Sequence, residues 1–145
     1  MVFSQDFSLD ELSYDNNGLI PAIAQDWLDG TILMLAWMNK ESLQKTLDTK
    51  EVHYWSRSRS ELWRKGATSG NTQSLKGIRF DCDSDSIILC IEQKGDGACH
   101  TGEKSCFFNE IDDSFHKKFK NSKPLSNQCS DLFTILKERA SMPKE

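Results

Sequence analysis

No part of this sequence is apolar for long. The longest run, Ile32 to Met38, is seven residues, where a helix needs ~20 to cross a bilayer. The first residues lack the positive, apolar and small-residue succession of a secretory leader. Positive charge is not in excess either: 18 Lys and Arg against 22 Asp and Glu leave a net charge of −4. That balance argues against nucleic acid as a bulk partner, because such binding leans on cations that displace counterions. Internal repeats and low-complexity tracts are absent, and the five cysteines form no CxxC knuckle. The expected setting is a reducing cytoplasm, where clustered cysteines bind metal or do chemistry more often than they pair. At 145 residues the chain fits one domain able to bury a core without disulfide staples.

What is present is concentrated between Asp81 and Cys106. The segment reads Asp81-Cys82-Asp83-Ser84-Asp85, an apolar run, Ala98-Cys99-His100-Thr101-Gly102, then Ser105-Cys106-Phe107-Phe108. Thiolate sulfur suits zinc, and clustered carboxylates suit magnesium or calcium. Three thiolates leave a tetrahedral zinc one open position, the one a catalytic zinc keeps for water. His100, beside Cys99, could handle protons. This combination is expected of a metallohydrolase. In an extended backbone Asp81, Asp83 and Asp85 share one face and Cys82 points to the other, so two metals could flank one strand end. An EF-hand loop starting at Asp81 fits its first, third, fifth and twelfth positions. It fails at Ser86, where glycine is wanted, and at Leu89, which cannot ligate. A solvated acidic turn is the plain alternative. The cysteine spacing alone is a weak zinc signal. Cys99 and Cys106 lie in polar, glycine-containing sequence, whereas Cys90, inside Ile87–Ile91, reads as core.

The rest of the pattern is β-rich. Leu19 to Trp27 reads as a strand, Leu28-Asp29-Gly30 as a hairpin turn and Thr31 to Met38 as a second, more buried strand. Asn39 can cap a helix from Lys40 to about Asp48, with Leu43 and Leu47 on one face. Glu51 to Arg57, Gln73 to Cys82 and Ile87 to Gln93 read as strands, Gly66 to Thr72 as a loop, and Ser105 to Ile111 as a last strand. Residues 1–18 are polar. Beyond Asp112 the chain turns lysine-rich, with a helix expected over about 131–141 that docks on the core or on a partner.

Between Tyr54 and Gln73 aromatics alternate with cations: Trp55, Arg57 and Arg59, then Trp63, Arg64 and Lys65, then Ser69, Gly70 and Asn71. Guanidinium pairs with phosphate, aromatic faces stack on bases, and a small loop lets backbone N–H groups approach a phosphate. A nucleotide is a natural ligand, and a hairpin with its charges in solvent is the bland reading.

On these residues the sequence resembles the phosphoribosyl-AMP cyclohydrolases of histidine biosynthesis. The likeness runs from Gly18-Leu19-Ile20-Pro21-Ala22 through Met34–Asn39, Tyr54–Arg59, Leu62–Gly66 and Ser69–Gln73 to the Asp81–Asp85, Ala98–Gly102 and Ser105–Phe108 motifs. It implies an α+β fold: a compact, β-rich domain over residues 1–119 with a short helix after the second strand, and a tail over 120–145. It further implies an obligate homodimer with zinc on Cys82, Cys99 and Cys106, Cys82 being donated across the dimer, and magnesium on Asp81, Asp83 and Asp85. The implied reaction opens the N1–C6 bond of the adenine ring in 1-(5-phosphoribosyl)-AMP to a formimino-carboxamide ribotide, with His100 as proton carrier. Trp55, Arg57, Arg59, Trp63, Arg64, Lys65, Ser69, Gly70, Asn71 and Gln73 become candidates for substrate contacts. Asp131–Arg139 resembles the opening helix of the phosphoribosyl-ATP pyrophosphohydrolase domain that follows the cyclohydrolase in many organisms. A lone cyclohydrolase with a tail and the first part of a bifunctional protein therefore both stay open. Two other functions compete. A zinc nucleotide deaminase shares attack at C6, but its His-x-Glu and Pro-Cys-x-x-Cys signature is missing. A zinc-structured binding module would need a fourth protein ligand.

Overall fold

A six-stranded mixed sheet carries the molecule, its strands in the spatial order β4 (Glu61–Arg64), β3 (His53–Ser56), β2 (Ile32–Asn39), β1 (Leu19–Asp26), β6 (Ile87–Gln93) and β5 (Gln73–Phe80). The computed structural model describes residues 6–111, 113–114 and 117–118, so the expected tail and its helix lie outside the described residues. β1 (Leu19–Asp26) and β2 (Ile32–Asn39) form the expected hairpin, with Ile20 opposite Met38 and Ala22 opposite Ala36. Its turn is held by Asp26 Oδ1, which accepts from the Leu28 and Asp29 N–H groups at 2.9 and 3.2 Å. β6 (Ile87–Gln93) runs parallel to β1 and antiparallel to β5 (Gln73–Phe80).

The helix α1 (Lys40–Thr49) starts where the sequence predicts. Asn39 Oδ1 accepts from the Ser42 N–H at 2.8 Å and Ser42 Oγ accepts from the Asn39 N–H at 2.9 Å, a reciprocal cap. Lys50, at φ 61°, ends it in the left-handed region. Leu43 is buried and Leu47 packs against the same core.

Alternation places Ile20, Ala22 and Ala24 of β1, Met34 and Met38 of β2, and Ile87, Leu89 and Ile91 of β6 in one core, and a register shift between the first two strands lets Leu33 join them. β2 is less buried than its unbroken apolar run suggests. Ile32 and Leu35 stay 45% and 48% exposed, because only one side of the strand faces that core. Cys90, on the other side of β6 from Leu89, is half-buried rather than core. The polar first segment contributes after all: Leu9 and Leu12, around a 3-10 turn at Leu9–Glu11, pack into the interior. The expected strand over Ser105–Ile111 shrinks to β7 (Glu110–Ile111), paired with β8 (Lys117–Lys118). Upstream of it, Ser105 and Cys106 bond to β2 singly instead of forming a ladder.

The sheet curls until its distant strands meet. β3 (His53–Ser56) pairs with β4 (Glu61–Arg64), and the residues before β3 reach β5: Glu51 bridges Ser74, and the Val52 N–H donates to the Gln73 carbonyl at 2.9 Å. A buried chain of polar groups seals this closure. The Tyr54 hydroxyl donates to Gln73 Oε1 at 2.7 Å, and Gln73 Nε2 donates to Gln93 Oε1 at 2.9 Å. Gln93 Nε2 in turn donates to the Asn71 carbonyl at 3.0 Å. Among the described residues no helix is long and apolar enough to cross a membrane.

Two stability predictions follow from these contacts. Tyr54→Phe removes the hydroxyl from a fully buried site and leaves Gln73 Oε1 without its donor. It should cost about 1–3 kcal/mol of unfolding free energy in denaturant titration, the usual penalty for an orphaned buried acceptor. The second concerns Asp29, in the turn between β1 and β2. Partial burial works against its charge, but the Lys104 ammonium and the Thr31 backbone N–H outweigh it and hold the carboxyl at about 2. A depressed folded pKa gives stability that is complete above the ordinary aspartate range and is lost as pH falls toward the folded value. Asp29→Asn should therefore flatten the acid limb of a stability–pH curve between about pH 4 and 2. An unchanged limb would mean the pair is fully screened.

Candidate active site

The residues singled out by the sequence fall into three groups. The first is the turn Asp81–Ser86 between β5 and β6. It is not the extended strand end expected, because Ser84 has φ 63° and the Asp81 N–H donates to the Ser86 carbonyl at 3.1 Å. The turn gathers the carboxylates by curling rather than by alternation. Oxygens of Asp81, Asp83 and Asp85 lie within 4.8 Å of one another, all exposed. Asp81 is bound into the turn: its carboxylate accepts from Ser86 Oγ at 2.6 Å and from the Asp85 N–H at 3.0 Å. The Ser86 hydroxyl holds Asp81 down to about 2, while Asp81 and then Asp83 push Asp85 up. A set of oxygens with charge to spare suits a hard divalent cation.

The second group sits in the loop after β6. The Ala98 N–H donates to the Lys104 carbonyl at 3.1 Å and the Cys99 N–H to the Glu103 carbonyl at 3.2 Å, making a tight reversal around His100. Gly97, at φ 145°, permits it, since a Cβ there would lie 2.4 Å from the Glu103 oxygen. The reversal returns onto β2, where Ser105 Oγ donates to the Ile32 carbonyl at 2.7 Å and the Cys106 N–H to the Leu33 carbonyl at 2.8 Å. Cys99 and Cys106 are thereby brought within hydrogen-bonding reach of each other. Burial opposes the Cys99 thiolate. The Thr101 hydroxyl, 3.0 Å from its sulfur, the Thr101 N–H, the Cys106 thiol and the Lys65 ammonium outweigh burial and set its pKa below the ordinary thiol value. Burial and the neighbouring Cys99 push Cys106 up to about 11, against the pull of Lys65. Burial and mutual repulsion oppose the presence of two thiolates here, a cost that a thiophilic cation would relieve. His100 is exposed on the reversal beside them.

Cys82 is not with them. It is exposed in the aspartate turn, and among the described residues the only metal-competent group of three is the aspartates. β6 separates the two sites, its seven residues spanning roughly 20 Å at the usual strand rise. Among the described residues the thiols brought together are thus two, Cys99 and Cys106, one fewer than the sequence-based expectation.

The third group is a groove of about 440 Å³ lined by Arg59, Trp63, Arg64, Lys65 and Ser69, among others. Arg59 and Arg64 sit at its rim, paired with Glu61 at 3.1 Å and Glu51 at 2.7 Å. Trp63 packs on Tyr54, ring centroids 5.1 Å apart. Trp55 and Arg57 lie outside the groove, where the Arg57 guanidinium stands 4.7 Å over the Trp37 ring. Three of the candidate contacts are engaged within the fold. Gln73 is fully buried with its amide engaged by Tyr54 and Gln93, so it is structural. Asn71 spends its Oδ1 on the Asp96 N–H at 3.2 Å, tying the groove loop to the thiol loop. Gly70, at φ 78°, shapes that loop and accompanies Ser69, whose hydroxyl accepts from the Asn71 N–H at 3.2 Å. Sequence reasoning missed Thr101, although a hydroxyl two residues past a cysteine is a local signal, and Gln93, which carries none.

The model of the phosphoribosyl-AMP cyclohydrolase family matches residues 34–108, which hold all three groups. A histidine biosynthesis bifunctional protein HisIE from Prochlorococcus marinus subsp. pastoris is 70% identical over 146 residues, covering all of this chain and 66% of its own length. A HisIE from Synechocystis is 57% identical over 135 residues, 93% of this chain and 60% of its own. A phosphoribosyl-AMP cyclohydrolase from Trichormus variabilis is 64% identical over 102 residues, 70% of this chain and 88% of its own. The chain thus spans about two thirds of the length of such bifunctional relatives and most of the length of the single-function one. With the aspartate turn, the thiol loop and the basic groove all inside the matched region, the chain belongs to the phosphoribosyl-AMP cyclohydrolase family.

Proposed function

We propose that the chain hydrolyses the N1–C6 bond of the adenine ring of 1-(5-phosphoribosyl)-AMP in histidine biosynthesis, as a homodimer in the cytoplasm. The observation that carries the reading is that a paired set of thiols and a basic, aromatic groove adjoin through Lys65, which lines the groove and bonds to the thiol loop. Chemistry at a purine and recognition of its phosphates would then be neighbours.

Cys99 and Cys106, with Cys82 of a second copy, would hold zinc, and the three aspartates magnesium. Zinc, when bound, supplies hydroxide at neutral pH by lowering the pKa of a bound water toward ~7. N1 alkylation makes C6 of the substrate electrophilic. Water adds at C6, the N1–C6 bond breaks, and N1 gains a proton. His100, exposed on its reversal beside the thiols, takes the proton from water and returns it to N1. Arg59 and Arg64 turn from Glu61 and Glu51 to the substrate phosphates, an exchange of one charge-assisted pair for another. Trp63 offers a face for stacking.

The distance between Cys82 and the other two thiols favours a site shared between copies. Support also comes from apolar side chains left in solvent along the β1–β2 turn, on β2 and on the segment docked there: Trp27, Leu28, Ile32, Leu35 and Phe107 are all at least 45% exposed. An interface over them would bring them out of water.

The reading is tested by the absorbance change that accompanies ring opening of N1-phosphoribosylated AMP. His100→Ala should lower turnover by roughly 10²–10⁴-fold, the usual worth of proton transfer, with zinc content by elemental analysis unchanged. Loss of zinc from that variant would make His100 a ligand instead. Sharing of the site is tested by complementation. Cys82→Ser and Cys99→Ser chains should each be inactive alone, and their mixed dimer should regain activity, because both lesions fall in one site and leave the other whole. A mixed dimer that is confirmed by mass, folded and inactive would rule out the shared site.

A further inference from the structure

Lys65 follows β4 directly, and the sequence suggests a phosphate ligand. Its placement points elsewhere. The side chain is half-buried, and Nζ donates to the Ala98 carbonyl at 2.7 Å, across thirty-three residues of sequence. Ala98 is only 2% exposed and immediately precedes Cys99. The ammonium therefore stands at the base of the reversal, close enough to attract negative charge on both Cys99 and Cys106. Arg59 and Arg64 differ from it in kind, being at the surface with carboxylate partners.

We propose that Lys65 is a positioning residue for the Cys99–Cys106 pair rather than a ligand of a substrate phosphate. The inference rests on reading those thiols as zinc ligands. Three thiolates around a dication leave one net negative charge in a partly buried place, which is costly without a compensating cation. The Lys65 ammonium supplies it from beside the loop, while its bond to Ala98 fixes where Cys99 points. The outer partners of a metal site usually have this dual task of orienting a ligand and tuning its charge.

The test compares wild type, Lys65→Met and Lys65→Arg as full chains. Zinc affinity is measured by competition with a chromophoric chelator, and KM and kcat by the ring-opening assay. Lys65→Met should weaken zinc about 10–100-fold, in the range of other such partners, and lower kcat with KM held. Lys65→Arg, which keeps the charge, should recover most of the affinity. Arg59→Gln should give the opposite split, a raised KM with zinc retained. Should Lys65→Met fail to fold, Lys65→Gln keeps a donor for the Ala98 carbonyl and loses only the charge, and the same weakening is expected. Unaltered zinc affinity in the folded variant together with a KM raised tenfold or more would overturn the proposal and return Lys65 to the phosphates. Active wild-type protein free of zinc would instead overturn the metal reading on which the proposal rests.

Discussion

The buried chain from Tyr54 through Gln73 and Gln93 to the Asn71 backbone is the contact on which the arrangement of the site depends. It lies where the curled sheet meets itself, with Tyr54 and Gln73 fully buried and Gln93 half-buried. A half-satisfied version would cost more than an apolar substitute, so the network specifies one closure of the sheet. That closure decides function, because it carries the aromatic and basic hairpin of β3 and β4 to the loop that follows β6. Without it, the groove and the thiols would belong to opposite margins of an open sheet.

Much of the fold was legible because local rules and tertiary demands agree. The strands β1 and β6 announce themselves by β-branched and aliphatic runs, and α1 by Asn39 followed by Leu43 and Leu47. Disagreement arises where a residue type has two uses. Gln73 next to a serine- and glycine-rich loop looks like a polar contact for a ligand, yet its burial follows from the curl of the sheet, which no local pattern encodes. Lys65 between Arg64 and Gly66 looks like one more phosphate cation, and only the return of the loop after β6 shows a carbonyl waiting for it. The aspartates do come together, but not by the alternation of an extended strand. Alternation on a strand would separate Cys82 from them by face, whereas a left-handed Ser84 curls them together. Apolar content also misled at β2, since a run of aliphatics says that a strand is wanted and not which of its sides has a partner.

Charge is distributed with a corresponding division. The aspartate turn concentrates negative charge in solvent at one end of β6, and the thiol pair lies at the other, beside the Lys65 ammonium. The aspartate oxygens and the Cys99–Cys106 pair are thus held apart by the length of one strand.

The loop from Asp96 to Cys106 has a further property that follows from where it is fastened. Asp96 is bound to Asn71, Ala98 to Lys65, Lys104 to Asp29, Ser105 to Ile32 and Cys106 to Leu33. Those partners belong to different stretches of the chain, so no single fluctuation frees the segment. Surface loops ordinarily open on their own at little cost, ahead of the domain that carries them. Here the roots of the reversal have no private melting step, and the Cys106 amide would exchange with solvent only as the sheet itself opens, while the exposed tip from His100 to Lys104 stays in contact with water.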